Sequence, residues 1–308
     1  MLERRSLRVL AVLDTSKRRQ EIAEELEYHP DTVTQAVTEL QNLGLVNRKS
    51  RDGERVIVPT DARCVELFQT IVKEKPYIDF PDLLSPSIRE VLYYLSPEKE
   101  WSAAELTERV SYSRATVYRK LKTLTNRAIV TKDHGQYRLS EEFSTLHQFA
   151  WELRHQYHRS LVRENLDRGT LVWEDSTSFV ARSESTIDEP NYTRTGLDAF
   201  SSYGLEFFTT SGVYYFYTDS EEELSPADIA CHLLLIDNDS RHRKYALLLI
   251  VKTDVSMEVA REAASRYKVL DTMEPLLKYL ETEGKKTTDW TPPWEEMQSL
   301  ANEYEVTL

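Results

Sequence analysis

The chain has 308 residues, 40% hydrophobic and 30% charged, the balance of a folded globular protein with room for two or three domains. Its longest apolar run, residues 245–251, is far too short to cross a bilayer, and the lone cysteines Cys64 and Cys231 imply neither a disulfide framework nor a thiolate zinc site. The net charge of −13 argues against a polyanion partner only until its distribution is read: residues 1–140 hold 23 Lys+Arg against 21 Asp+Glu, residues 141–308 hold 16 against 31. A locally basic face in the first half can meet phosphate while the acidic half points away.

In chain order, residues 4–13 carry an apolar helical stripe through Leu7, Val9, Leu10 and Leu13. Met1-Leu2-Glu3-Arg4-Arg5 leads straight into that helix without signal-peptide features, so a cytoplasmic location is expected. A second helix is predicted over 17–26. After the turn Glu27-Tyr28-His29, Pro30 opens a third, since proline lacks the N–H that a helix start leaves unpaired. Val33, Ala36, Val37 and Leu40 recur at i, i+3, i+4, i+7, and Gly44 closes the helix. The β-branched runs 45–47 and 55–58 then flank the loop 48–54, whose Asp52-Gly53 signals a hairpin.

The same unit returns 84 residues later. Residues 21–46 align without a gap on 105–130, with identities at Glu21/Glu105, Glu24/Glu108, Tyr28/Tyr112, Thr32/Thr116, Val33/Val117, Leu40/Leu124, Asn42/Asn126 and Val46/Val130. Helices are predicted over 87–95, 102–110 and 113–126, with strands 129–132 and 136–139 around His134-Gly135. Three helices followed by a hairpin, with Ile22-Ala23-Glu24-Glu25-Leu26, Thr32-Val33 and Leu43-Gly44-Leu45-Val46 as they stand, resemble the winged helix-turn-helix regulators of the MarR and ArsR style over residues 1–140. The excess of arginine over lysine and the abundance of Asp, Glu and Thr resemble proteins of salt-loving archaea.

Between the repeats, 61–75 reads as a connecting helix, and Pro76, Pro81 and Pro86 punctuate an extended linker. Residues 141–166 form a long amphipathic helix with Phe143, Leu146, Ala150, Leu153, Tyr157 and Leu161 on one side, suited to pairing in a homodimer or to packing on its own chain. From 169 the pattern is mixed: strands at 171–173, 178–182 and 213–217, and helices at 195–203, 226–236, 244–253, 257–266 and 273–280, with a short last helix opened by Thr291-Pro292-Pro293-Trp294. The fold class expected is α+β: winged helices at 1–60 and 85–140, a connector at 61–84, the long helix at 141–168 and an acidic α+β domain at 169–308. Gly196-Leu197-Asp198-Ala199-Phe200 through Ser225-Pro226-Ala227-Asp228 and the following Leu-rich helices are similar to the C-terminal part of AbiE-type antitoxins, which pair a winged helix with a mixed domain and repress their own operon.

The resemblance implies a sequence-specific regulator of double-stranded DNA, in which a core stripe fixes the third helix and leaves its other face for the major groove. In the first copy that face offers Thr32, Thr34, Gln35 and Thr38, and the wing adds Arg48, Lys49, Arg51 and Arg55. Gln35 suits an adenine edge and the threonines a thymine methyl or a phosphate, while Asp31 would repel phosphate. In the second copy Ser113 is the expected N-cap, Thr116 a phosphate contact, and Arg114, Tyr118, Arg119 and Lys122 the readers, with Lys132 on the wing. The C-terminal domain is left for a small effector, a protein partner or dimer contacts. A protein-binding adaptor is the rival from another class.

No catalytic constellation or cofactor is expected. Asp237-Asn238-Asp239 lacks the Gly-Ser element of nucleotidyl transferases, and Val251-Lys252 has Ile250 where a nuclease needs an acid. His147, His155 and His158 lack converging partners for a metal, Cys231-His232 point to different helix faces, and no Gly-rich phosphate loop exists. Arg241-His242-Arg243-Lys244 is the one basic cluster of the acidic half, read as a solvated loop before a minor nucleic-acid contact.

Overall fold

The computed structural model describes residues 2–51, 53–207, 212–219, 223–285, 288 and 291–308, so Met1 and Asp52 of the sequence reading lie outside it. The chain is of the α+β class and divides into two compact units, Met1–Leu161 and Val162–Leu308.

The first unit opens with α1 (Arg4–Val12), a two-residue strand β1 (Lys17–Arg18), α2 (Arg19–Glu25), α3 (Pro30–Asn42) and the hairpin β2 (Val46–Arg51) and β3 (Glu54–Pro59). α4 (Arg63–Glu74) and the short α5 (Phe80–Leu83) follow, and the order then returns as α6 (Pro86–Tyr94), β4 (Trp101–Ser102), α7 (Ala103–Arg109), α8 (Arg114–Asn126), β5 (Val130–Asp133) and β6 (Gln136–Leu139). Both sheets are antiparallel and of equivalent order, β1-β3-β2 and β4-β6-β5. The identities of the repeat explain why. Glu21 accepts the Arg18 backbone N–H at 2.7 Å and Glu105 that of Ser102 at 2.7 Å, so each starts the second helix of its module. Val33/Val117 and Leu40/Leu124 are buried on the third helix, and Val46/Val130 begin the hairpin.

Two expectations are corrected in this unit. The loop predicted over 48–54 is mostly strand: Arg48 pairs with Ile57 and Arg51 with Glu54, and Gly53, between the two strands, has φ +82°. The linker between the modules is not extended, because Phe80, Pro81 and Leu83 are buried in α5 and Pro86 opens α6. One apolar core is continuous from Leu2 to Leu153, so the two modules are not beads on a string. The Arg89 guanidinium donates to the Leu2 carbonyl at 2.6 Å across them; burial holds its pKa down, to about 10. α9 (Ser144–Asn165), after a 3-10 turn at Glu141–Phe143, seals this core with Leu146, Phe149, Ala150 and Leu153.

The second unit carries β7 (Thr170–Glu174), β8 (Ser178–Ser183), β9 (Tyr192–Thr195), β10 (Val213–Thr218), α10 (Pro226–Ile236), α11 (Ser240–Lys252), α12 (Met257–Arg266), α13 (Leu270–Glu281) and α14 (Trp294–Glu303). Its antiparallel sheet has the order β7-β8-β10-β9. Alternation places Val180 and Phe216 in the core with the helices, and Phe179, Tyr215 and Tyr217 on the opposite face, where the Ile187 N–H donates to the Tyr215 hydroxyl at 3.0 Å. The segment predicted as a helix over 195–203 splits: Thr195 ends β9, and Gly196–Tyr203 is 3-10 helix closed by left-handed Gly204.

Candidate nucleic-acid interface

The third helix of each module is held by its apolar stripe: Val33, Ala36, Val37 and Leu40 on α3, Val117, Leu121 and Leu124 on α8, all buried. Helical geometry then sends Gln35 and Thr38, or Arg119 and Lys122, to the opposite side, with Thr34 and Tyr118 on its flank. Gln35, Thr38, Arg114, Tyr118, Arg119 and Lys122 are exposed, while Thr32, Thr34 and Thr116 are half-buried. The expected residues therefore fall on two equivalent faces, which differ sharply in chemistry.

α8 carries Arg114, Arg119, Lys120 and Lys122 and no acid. Arg114 lies 5.5 Å from the Tyr118 ring centroid and bonds its hydroxyl at 3.5 Å; that bond raises the guanidinium pKa. Lys120 turns back to donate to Ser85 Oγ at 3.2 Å, leaving Arg114, Arg119 and Lys122 as the exposed cations of the helix. Ser113 occupies the N-cap position as expected, but its hydroxyl bonds the Thr116 hydroxyl at 3.3 Å instead of a backbone N–H. Lys132, on the wing, lies 5.3 Å from the ring centroid of its cross-strand partner Tyr137.

α3 has two acids, Asp31 and Glu39, and no cation. Three of its polar side chains each meet an arginine of the same module. Gln35 Oε1 accepts from Arg5 at 2.9 Å, Thr34 Oγ1 from Arg19 at 3.2 Å, and Thr38 Oγ1 from Arg48 at 3.0 Å. Strand alternation divides the wing cations: Arg48 and Arg55 share a face with Ile57, toward α3, and Lys49 and Arg51 take the other, where Arg51 reaches Ser16 Oγ at 3.4 Å. A groove of about 760 Å³ between α2, α3 and the hairpin is lined by Arg18, Arg19, Arg48 and Arg55 with Glu21, Glu24 and Glu54. Arg18 is paired with Glu21 at 2.8 Å and Glu54 at 3.2 Å. Its bond to Glu21, the larger cause, and the Glu54 charge hold the guanidinium pKa up.

Arg5, Arg18 and Arg19 escape sequence reasoning because they belong to other elements, α1, β1 and α2. The available signal is positional, since at the offset of 84 Arg18 and Arg19 face Ser102 and Ala103.

Elsewhere the discounted groups have structural employment. Asp239 caps α11, accepting from the His242 backbone N–H at 2.8 Å and approaching His242 Nδ1 at 2.8 Å; Asp237 lies beside them, the three offering atoms of metal-ligating type within 4.8 Å of one another. The α9 histidines join no such group among the described residues: His147 bonds the Leu92 carbonyl, His155 stacks on Trp151 and His158 is buried. Lys252 ends a helix, not a strand, and donates to the Tyr304 carbonyl at 3.3 Å. Of the basic cluster, Arg243 bonds Asn238 and Lys244 pairs with Glu296, so it is part of α11 and not a loop. Burial pushes the Cys231 thiol up and the Cys64 thiol up to about 12, the wrong direction for a nucleophile.

Two protein-family models match parts of the chain. Residues 90–134 match the IclR helix-turn-helix domain, from within α6 to the β5–β6 turn, with the whole of α8 inside. Residues 189–306 match the C-terminal family HVO_2833_C, from just before β9 to beyond α14. No curated protein matches the chain significantly. The first match supports reading the chain as a helix-turn-helix DNA-binding regulator.

Proposed function

We propose that the protein is a sequence-specific transcriptional regulator that binds double-stranded DNA through tandem winged helices, with α8 as the element that enters the major groove. The observation that carries this reading is the surface of α8: Arg114, Arg119 and Lys122 exposed on a helix without a single acid, within the segment that matches a helix-turn-helix domain. Arginine presented from such a helix reads guanine O6 and N7 in two hydrogen bonds, worth about 1–3 kcal/mol of discrimination per good pair. The acidic second unit is assigned to effector, partner or dimer contacts, because its charge keeps it away from phosphate.

The test is binding of the full chain to the DNA upstream of its own gene, against a scrambled duplex, across a salt series. Selective binding with a steep salt slope, lost when Arg114, Arg119 and Lys122 become alanine, is the expected result. Binding that is unselective at every salt concentration, or unchanged in that variant, would move the assignment to a protein-binding adaptor.

A further inference from the structure

The repeat shows the same scaffold with its cations moved. At equivalent positions Gln35 stands for Arg119 and Thr38 for Lys122, so the first module lacks what makes α8 a reader. In compensation, Arg18 and Arg19 stand where the second module has Ser102 and Ala103. The cations of the first module surround its third helix, which has none of its own; the second keeps a wing cation, Lys132 at the place of Arg48, and adds Arg114, Arg119 and Lys122 on the helix itself.

Three of the surrounding guanidiniums have no carboxylate partner among the described residues. Arg19 bonds only the Thr34 hydroxyl, Arg48 only that of Thr38, and Arg55 is exposed on the same strand face as Arg48. All three line one open groove, whereas the charge of Arg18 is met by Glu21 and Glu54. An isolated guanidinium bonded to a neutral hydroxyl keeps most of its donors for an anion, and exchanging a hydroxyl for a phosphate oxygen strengthens the bond.

Resting on the DNA-binding reading above, we infer that the two modules divide the work: the first is a phosphate-backbone clamp built from Arg19, Arg48 and Arg55, and base identity is read by the second alone. The occupant is the sugar-phosphate backbone of the duplex that α8 reads. Asp31 and Glu39 leave α3 with net negative charge, which opposes deep entry into a groove. The α3 polar groups Thr34, Gln35 and Thr38 act as struts that orient Arg19, Arg5 and Arg48.

The experiment uses the full chain and a duplex enriched from a randomised library, with its scrambled counterpart as control. Arg19→Ala, Arg48→Ala and Arg55→Ala together should weaken both duplexes by the same factor and lower the slope of log affinity against log salt by about 2–3, leaving the selectivity ratio unchanged. Gln35→Ala should leave that ratio unchanged too, and Arg119→Ala should collapse it. All these side chains are exposed, and an unchanged melting temperature shows that the variants fold. Loss of selectivity in Gln35→Ala, or an unchanged salt slope in the triple variant, would overturn the division of labour while the regulator stands. No duplex binding by the unmodified chain would overturn both.

Discussion

Replacing His232 by leucine removes the one buried imidazole whose charge the second unit cannot tolerate. The ring is fully buried on α10, its Nδ1 hydrogen-bonded to the Thr195 hydroxyl at 2.7 Å and its Nε2 without a partner. It stacks against Phe216 at 5.0 Å and meets the edge of Tyr267 at 4.5 Å. The nearest carboxylate on its own helix, Asp228, is already held by Ser225 and Arg266. Burial lowers the imidazole pKa from 6.5 to about 3. A histidine depressed in the folded state stays neutral there while the unfolded chain takes up its proton. Stability is therefore intact above pH 6.5 and falls as the pH drops from 6.5 toward 3. At about 1.4 kcal/mol per unit, the loss from this one residue between pH 7 and pH 5 is about 2 kcal/mol. The assay is native-state hydrogen exchange of the α10 amides, in the unmodified chain and in His232→Leu, at both pH values. The variant loses the Thr195 bond, a constant offset of about 1 kcal/mol that drops out of the comparison. The α10 protection of the unmodified chain should fall by about 2 kcal/mol more than that of the variant. Parallel losses in the two proteins would refute the reasoning, since they would show that acid acts through other groups.

Further outcomes follow from packing and backbone geometry. Leu121→Ala empties a fully buried site behind α8 and should cost about 2–5 kcal/mol in urea unfolding of the first unit, with weaker DNA binding as a consequence. Ser102→Ala removes the hydroxyl that accepts from the Glu105 N–H at 3.1 Å, and should lower the stability of the second module by about 0.5–2 kcal/mol. Gly212→Ala should destabilise the second unit by about 1–3 kcal/mol in thermal unfolding. Its φ is +76° and a Cβ would lie 2.5 Å from the Ser183 carbonyl oxygen, so neither the backbone nor the neighbour can absorb the change.

What the sequence made legible follows from length and amphipathicity. Most of the long helices announce themselves by one buried stripe; α10, buried without a break from Ala227 to Leu234, is legible instead from its Ser225-Pro226-Ala227-Asp228 start, and the predicted 226–236 matches Pro226–Ile236. The two-residue strands β1 and β4 are invisible, being too short for alternation to register, and exist only because β3 and β6 offer them an edge. Arg48 to Arg51 read as a loop because the wing is solvated on both faces, so hydrogen bonding to β3, not hydrophobicity, makes the strand. Pro81 reads as a linker residue, yet it is buried in α5, which packs against α1 from far back along the chain. The cations of α8 were legible from spacing alone. The groove cations Arg18 and Arg19 were not, because what unites them with Arg48 and Arg55 is the approach of the α2 start to the hairpin.

The repeat separates scaffold from surface more cleanly than either copy could. Positions identical in both copies include the Glu21/Glu105 helix starters, the Val33/Val117 and Leu40/Leu124 stripe and the Val46/Val130 strand openings, all of which act on the fold. Buried positions that differ, such as Ile22 against Leu106 and Val37 against Leu121, keep an apolar side chain, whereas Gln35 against Arg119 and Thr38 against Lys122 point outward and bear no core load. Because Arg89 and the continuous core lock the modules together, a contact made by one fixes the orientation of the other. On the division of labour proposed above, a clamp on the first module would strengthen every site that α8 reads without favouring any of them, and affinity and selectivity would become properties of different modules.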